Sequence, residues 1–270
     1  MIIDQYTQGY GVIGNPIGHS LSPLIQNTAF REKGINAVYL AWEITDLKAC
    51  MMGVRSLGIR GLSVTIPFKS DIIPLLDEVD GLAERIGAVN TVVNHKGLLK
   101  GYNTDAVGAL RALEEKADIS GNKVIIVGAG GAARAIGFIL KQKGLEIFIA
   151  NRSVDRGIEL SRSLDCEFVR LDNLSDVQGD IIINTTPAGM SPKIDLSPVS
   201  EKAFREGMIA MDIIYNPGRT RFLDMAEKRG CIIINGIPMF IYQGAEQFRM
   251  WTGLDAPIET MTRAVEKALA

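Results

Sequence analysis

The thirteen residues Lys123–Ala135, KVIIVGAGGAARA, combine residue types and spacing suited to holding phosphates. An apolar run leads into Gly128, Ala129, Gly130, Gly131, Ala132 and Ala133, a G-x-G-x-x-A arrangement with a helix beginning inside it. The first glycine permits a tight turn, the second lets the backbone approach a pyrophosphate, and the small third residue lets helix and strand pack closely. The helix N-terminus then offers unpaired N–H groups and partial positive charge to the phosphates. A second strand, EIFIAN, follows at the distance a dinucleotide-binding unit requires. A preference for NAD would place Asp or Glu at the tip of that strand, against the ribose hydroxyls. Here the tip reads Asn151, Arg152, Ser153, and Arg156 lies one helical turn beyond. Two guanidiniums suit bidentate, charge-assisted bonding to a 2′-phosphate, so NADP (NADPH) is the expected cofactor.

A second group of polar residues punctuates the N-terminal region in the stretches GHSLSP, SVTIPFK, GAVNT and GYNTDAVG. Most of this chemistry is neutral: Ser20, Ser22, Thr65, Asn90 and Thr104. Lys69 and Asp105 are the charged exceptions. Hydroxyls and an amide suit a small polyhydroxylated ligand. A lysine ammonium can protonate and stabilise a developing oxyanion, and a carboxylate can accept a proton. Ser22 also reads as a helix N-cap, with Pro23 at the first helical position. His19 is expected to make a structural hydrogen bond.

These residues need elements to carry them. YGVIG, AVYLAWEI and GLSVTI read as strands; SPLIQNTAFREKG and DLKACMMGVRSLG read as helices. A helical pattern continues over DIIPLLDEVDGLAERIG, followed by a strand, a Lys96-Gly97 turn and a return strand. TDAVGALRALEEK is a helix, the strands DIIINTT, MIAMDIIY and CIIIN follow the glycine turn, and two helices close the chain. Strand–helix alternation predicts βαβ units and a mostly parallel sheet, and the chain divides near Asn103 and again near Gly236.

Composition narrows the classes. A net charge of −2 over 270 residues, without a Lys/Arg cluster, argues against nucleic acid. No apolar run nears the eighteen residues of a membrane span, and MIIDQYTQGY lacks the pattern of a signal peptide. Cys50, Cys166 and Cys231 are odd in number and far apart, which suits a reducing cytoplasm rather than disulfides or a metal site.

GNPIGHSLSP, SVTIPFK, GAVNTV, GYNTDAVG, GAGGAARA, NRS, NTTPAGM, DIIYNPGRT and GIPMFIYQGAEQFRMWTG together resemble the successive motifs of the shikimate dehydrogenase family, in order and over nearly the whole chain. The resemblance implies reversible, NADPH-dependent reduction of 3-dehydroshikimate to shikimate, in the route to chorismate and the aromatic amino acids. It also implies two α/β domains with a cleft between them, the second a Rossmann-type doubly wound parallel sheet: a discontinuous substrate-binding domain, 1–103 plus 237–270, and a cofactor domain, 104–236. It implies that Ser20 and Ser22 hold the substrate carboxylate, that Lys69 and Asp105 are the catalytic pair, and that Thr65, Asn90, Asp105 and Gln243 surround the ring hydroxyls. By the same resemblance Tyr215 lies near the carboxylate end, Thr185 of NTTPAGM and Ile213 lie by the ribose and nicotinamide, and Gly236 and Met239 approach the nicotinamide ring. Whether Lys69 or Asp105 is the base in oxidation stays open, as does monomer against homodimer. The family pattern carries Asn where this chain has Ser63, which puts one contact in doubt. Quinate enzymes tend to alter the second serine, whereas both serines stand here, which favours shikimate. A silent cofactor-binding sensor would have no chemical need for Lys69 and Asp105.

Overall fold

Apolar strands alternating with helices build two compact units in the structure, a computed structural model that describes residues 3–269. One unit holds the residues up to Thr104 together with Ile241–Ala268; the other is Asp105–Phe240.

The first unit is built from β1 (Gln8–Gly14), α1 (Ser22–Glu32), β2 (Ala37–Glu43), α2 (Leu47–Ser56), β3 (Gly61–Val64), β4 (Glu78–Val79), α3 (Gly81–Ile86), β5 (Thr91–His95) and β6 (Leu98–Tyr102). Its sheet runs β2-β1-β3-β5-β6-β4. β1 is parallel to β2 and β3, whereas β5 is antiparallel to both neighbours. The hairpin β5–β6 turns at Lys96 and Gly97, both at positive φ (54° and 94°), as a two-residue turn matching strand twist requires. Alternation splits the sheet's burial. Ile13, Leu62, Val64, Val92 and Leu99 pack with Met51 and Val54 of α2 and Ala83 of α3. Tyr10 instead meets Phe30 of α1 and Trp251, with ring centroids 5.1 and 5.5 Å away.

The continuous helical pattern expected over DIIPLLDEVDGLAERIG is broken in the structure. It becomes a 3-10 turn at Ile73–Leu75, the short strand β4, and α3. Pro74 cannot donate to a helical ladder, and Asp80 starts α3 afresh by accepting a hydrogen bond from the Leu82 N–H at 2.9 Å. Ser22 is likewise not the N-cap: Leu21 holds that position and Ser22 is the first helical residue. The hydroxyl serving the first turn belongs to Ser20, which accepts from the Ser22 N–H at 3.3 Å.

The second unit contains α4 (Asp105–Glu114), β7 (Lys123–Val127), α5 (Gly131–Gln142), β8 (Glu146–Asn151), α6 (Val154–Leu164), β9 (Glu167–Arg170), β10 (Ile181–Asn184), β11 (Ile209–Asp212), α7 (Arg221–Lys228) and β12 (Ile232–Ile234). Its strands are all parallel in the order β9-β8-β7-β10-β11-β12. Numbered within the unit, this is the 3-2-1-4-5-6 order of a doubly wound dinucleotide-binding sheet, whose switch point falls between β7 and β10. β10 and β11 are buried along their whole length, which is why they read as unbroken apolar runs. α8 (Gly236–Thr252) starts in this unit and continues into the first, followed by α9 (Ile258–Leu269). Among the described residues no helix is long and apolar enough to cross a membrane.

Candidate active site

In the first unit the polar stretches converge on one end of the sheet. The loop after β1 is tied to the end of β3, since Asn15 N–H donates to the Ile66 carbonyl at 3.0 Å. There Gly14 approaches so closely that an added Cβ would stand 2.5 Å from Thr65 Cγ2. SVTIPFK is in turn tied to GAVNT: Val64 N–H donates to the Asn90 carbonyl at 2.8 Å, and Val89 N–H to the Lys69 carbonyl at 2.7 Å. GAVNT is tied to GYNTD. Asn90 Oδ1 accepts from the Thr104 N–H at 2.7 Å, and Asn90 Nδ2 donates to Thr104 Oγ1 at 3.0 Å. Ser22 and Asn90 are buried (8% and 3% exposed), while Ser20, Thr65 and Lys69 are half-buried. Gln243, on α8, is buried. His19, by contrast, is exposed and makes no hydrogen bond among the described residues, so the structural role expected for it is absent.

In the second unit the glycine turn sits at the switch point. Gly128 has φ +123°, and a Cβ there would collide with Thr185 Oγ1. Thr185, just past β10, donates its hydroxyl to the Val127 carbonyl at 2.8 Å and so ties the two strand ends together. α5 then starts at Gly131 with Gly130 as its cap. No side chain bonds its first turn and no acid lies there. Added Cβ atoms at Gly130 and Gly131 would meet nothing within 4 Å. An open backbone cradle at an uncapped helix N-terminus fits a pyrophosphate, and Ala129 and Ala132, small and half-buried, belong to the same turn.

β8 ends on Asn151, whose amide donates to the Ser153 carbonyl at 2.9 Å. Ser153 then holds the N-cap position of α6 without a side-chain capping bond. Asn151 and Arg152 line a groove of about 580 Å³ together with Arg170, Lys202 and Ser200. Neither Arg152 nor Arg156 makes an ion pair among the described residues, and both are exposed. Asp172 also lines the groove and pairs with Arg170 at 3.5 Å, so Arg152 and Lys202 leave the lining net basic, which fits the 2′-phosphate half of NADP; Arg156 stands outside that lining, on α6.

Asp212, at the end of β11, is fully buried. It accepts from Thr220 Oγ1 at 2.6 Å, from the Ile214 N–H at 3.0 Å and from Asn184 Nδ2 at 3.1 Å. Burial pushes its carboxyl up to about 6, against the three hydrogen bonds that favour the ionised form. The result is a knot holding the segment after β10 to the one after β11. Ile213 and Tyr215 lie on the latter, where the Tyr215 ring stacks on Phe240 at 4.4 Å between centroids. Gly236 packs against the same segment, and a Cβ there would stand 2.5 Å from the Ile213 carbonyl oxygen. Met239 is buried one turn along α8. Asp105, the first residue of α4, is buried and follows directly on the Thr104 anchor. Burial raises all three cysteine thiols, Cys166 to about 11, so none is poised as a nucleophile.

Comparison with known proteins finds relatives over nearly the whole chain. The shikimate dehydrogenase substrate binding domain matches residues 12–92, the shikimate / quinate 5-dehydrogenase domain residues 110–215, and the shikimate 5'-dehydrogenase C-terminal domain residues 236–266. The shikimate dehydrogenase (NADP(+)) of Moorella thermoacetica is 45% identical over 272 residues, covering 96% of this chain and 92% of its own. The chain belongs to the shikimate dehydrogenase family. A crystal structure of a shikimate dehydrogenase in complex with NADP+ superposes with a TM-score of 0.95 at 43% identity, over 100% of this chain and 98% of that one. The Thermus thermophilus enzyme in complex with NADP(H) and shikimate superposes with a TM-score of 0.92 at 36% identity, over 97% of this chain and 100% of that one.

As a shikimate dehydrogenase family member the chain also has residues around these sites that its motifs do not single out. Arg170 lines the basic groove because β9 pairs with β8 in a register that sets Arg170 opposite Asn151; recognising EFVR as a strand would have found it. Gln247 lies one helical turn after Gln243 on α8, a spacing legible in the sequence. Tyr39 carries no motif signal, and Thr91 closes GAVNT without being singled out there.

Proposed function

We propose that this protein catalyses the reversible, NADPH-dependent reduction of 3-dehydroshikimate to shikimate, on the route to chorismate and the aromatic amino acids. The observation that carries the assignment is identity of about 45% to NADP(+)-dependent shikimate dehydrogenases over nearly the full chain. The open glycine cradle after β7 is its physical counterpart.

NADPH, when bound, supplies the hydride. Gly128, Ala129, Gly130, Gly131 and Ala132 would hold its pyrophosphate by backbone N–H groups, while Asn151 and Arg152 in the groove, with Ser153 and Arg156 beside it, would take the adenosine 2′-phosphate. Thr185, Ile213, Gly236 and Met239 border the ribose and nicotinamide. Ser20 and Ser22 bind the substrate carboxylate as neutral donors; an acid at either place would repel it. Thr65, Asn90, Asp105 and Gln243 bond the ring hydroxyls, with Tyr215 at the carboxylate end. Such a pocket discriminates by leaving buried polar groups unpaired when the wrong ligand enters. Lys69 donates the proton that neutralises the alkoxide forming at C3. In oxidation a proton leaves the hydroxyl through Asp105 or through the Lys69–Asp105 pair.

The reading carries with it a cytoplasmic enzyme with unpaired thiols, acting on a small molecule as a monomer or homodimer, with no nucleic-acid or membrane partner. Incubating the purified protein with 3-dehydroshikimate and NADPH tests it. The expected result is loss of nicotinamide absorbance with stoichiometric appearance of shikimate by chromatography. Oxidation of NADPH without shikimate formation would overturn the assignment.

A further inference from the structure

Ser63 sits at the centre of a buried hydrogen-bond chain that begins outside any motif. Tyr39 on β2, only 1% exposed, donates its phenol proton to Ser63 Oγ at 2.6 Å. Ser63 on β3, 6% exposed, donates in turn to Gln247 Oε1 at 2.8 Å. With its oxygen so engaged, the Gln247 amide turns its nitrogen to the other side, where Nε2 donates to Thr91 Oγ1 at 3.0 Å and to the Asn90 carbonyl at 3.3 Å. Thr91 passes its own proton to Asn90 Oδ1 at 2.8 Å. That oxygen also accepts from the Thr104 N–H, while Nδ2 donates to Thr104 Oγ1.

The sense of the chain follows from its donors. Each hydroxyl has one proton, so accepting from one neighbour commits it to donate to the next. Burial raises the Tyr39 phenol well above its ordinary value, which keeps it a donor at the head of the chain. The same phenol also bears on the Ser22 hydroxyl. Asn90, like Gln247, could present either end of its amide. With Thr91 and the Thr104 N–H both aimed at one atom, that atom must be the oxygen, and the nitrogen end is fixed as a donor. A serine suits the central position because a single oxygen accepts and donates within the space β3 leaves against α8.

We propose that Ser63, acting with Tyr39 and Gln247, is a positioning residue that fixes the Asn90 amide for reading a ring hydroxyl, and so sets selectivity among polyhydroxylated substrates. The proposal rests on the reading in which Asn90 contacts the substrate. The relay touches neither the glycine turn nor the basic groove, so its loss changes substrate recognition and leaves cofactor affinity alone.

The test is steady-state kinetics on Ser63→Ala, Tyr39→Phe, Gln247→Met and the Tyr39→Phe/Ser63→Ala double variant, with NADPH affinity measured separately by fluorescence titration. Ser63→Ala and Gln247→Met should each raise KM for shikimate about tenfold, with kcat within about twofold and NADPH affinity unchanged. Their preference for shikimate over quinate should narrow. In the double variant the Tyr39→Phe effect should vanish, because the link it feeds is already cut. If Ser63→Ala does not fold, Tyr39→Phe carries the test, since it removes one oxygen and keeps the ring against Trp251, 5.9 Å between centroids. Folded variants with parental KM for shikimate, additive effects in the double variant, or a matching loss of NADPH affinity would overturn the relay. A parent enzyme that fails to turn over shikimate would overturn the functional reading, and the relay with it.

Discussion

Lys69 and Arg152 carry the sharpest residue-level consequences, because the proposed function gives each one chemical task. Lys69 stands in the stretch after β3, with its carbonyl bound by Val89 N–H. Its backbone is therefore fixed whatever the side chain, and Lys69→Ala should fold normally. The variant should lose at least about a hundredfold in kcat, the contribution of a positioned general acid. Its KM for shikimate should move far less; near-parental kcat would remove Lys69 from the chemistry. Arg152 lines the groove with Arg170 and Lys202. Losing a charge-assisted bond costs about 1.5–3 kcal/mol, so Arg152→Ala should raise KM for NADP about ten- to hundredfold and leave KM for NAD within about twofold. Equal cofactor preference in parent and variant would contradict the role given to Arg152.

Elements fix where these side chains can work. The turn between β7 and α5 needs φ +123° at Gly128, with Thr185 Oγ1 where a Cβ would go. Gly128→Ala should therefore cost about 1–3 kcal/mol of stability and raise KM for NADP, both read on one preparation by thermal melting and kinetics. The Asp212 knot joins the loops after β10 and β11. Its folded carboxyl is raised to about 6 from 3.8, so the folded state keeps a proton that the unfolded chain has released. The stability this group contributes is thus greatest below about pH 4 and is lost as pH rises through about 6. A displacement of that size is worth about 3 kcal/mol. Asp212→Asn cannot titrate, so the parent's stability relative to it should fall by about that amount between pH 4 and 7 in denaturant unfolding. A pH-independent difference would show that Asp212 does not titrate in this way.

The same elements explain what the sequence makes legible. Strands buried on both faces, such as β10 and β11, are continuous apolar runs and are readable directly. β9 is not, because EFVR is four residues long and exposed at both ends. The stretch before α3 keeps a helical pattern that Pro74 breaks locally. Glycine and serine motifs mark chemistry that must sit in loops, so Gly128, Ser20 and Asn90 are visible. Gln247 reaches Ser63 from 184 positions away, and a partnership of that kind leaves no local mark.

On the proposed function, the whole molecule divides its two recognition tasks between two sheets. The first carries neutral donors around Asn90 and Thr65, and the second carries backbone N–H groups at the β7–β10 switch point and arginines by the ends of β8 and β9. Its small net charge of −2 gives no general attraction for either anion, so selectivity for shikimate and for NADP rests on those local groups. The most direct measurement is a four-way comparison of initial rates, following nicotinamide absorbance with shikimate or quinate, each with NADP or NAD. The account predicts kcat/KM highest for shikimate with NADP, by at least about tenfold over every other pair, a difference of about 1.4 kcal/mol. A preference for quinate or for NAD, or no turnover with any pair, would contradict it.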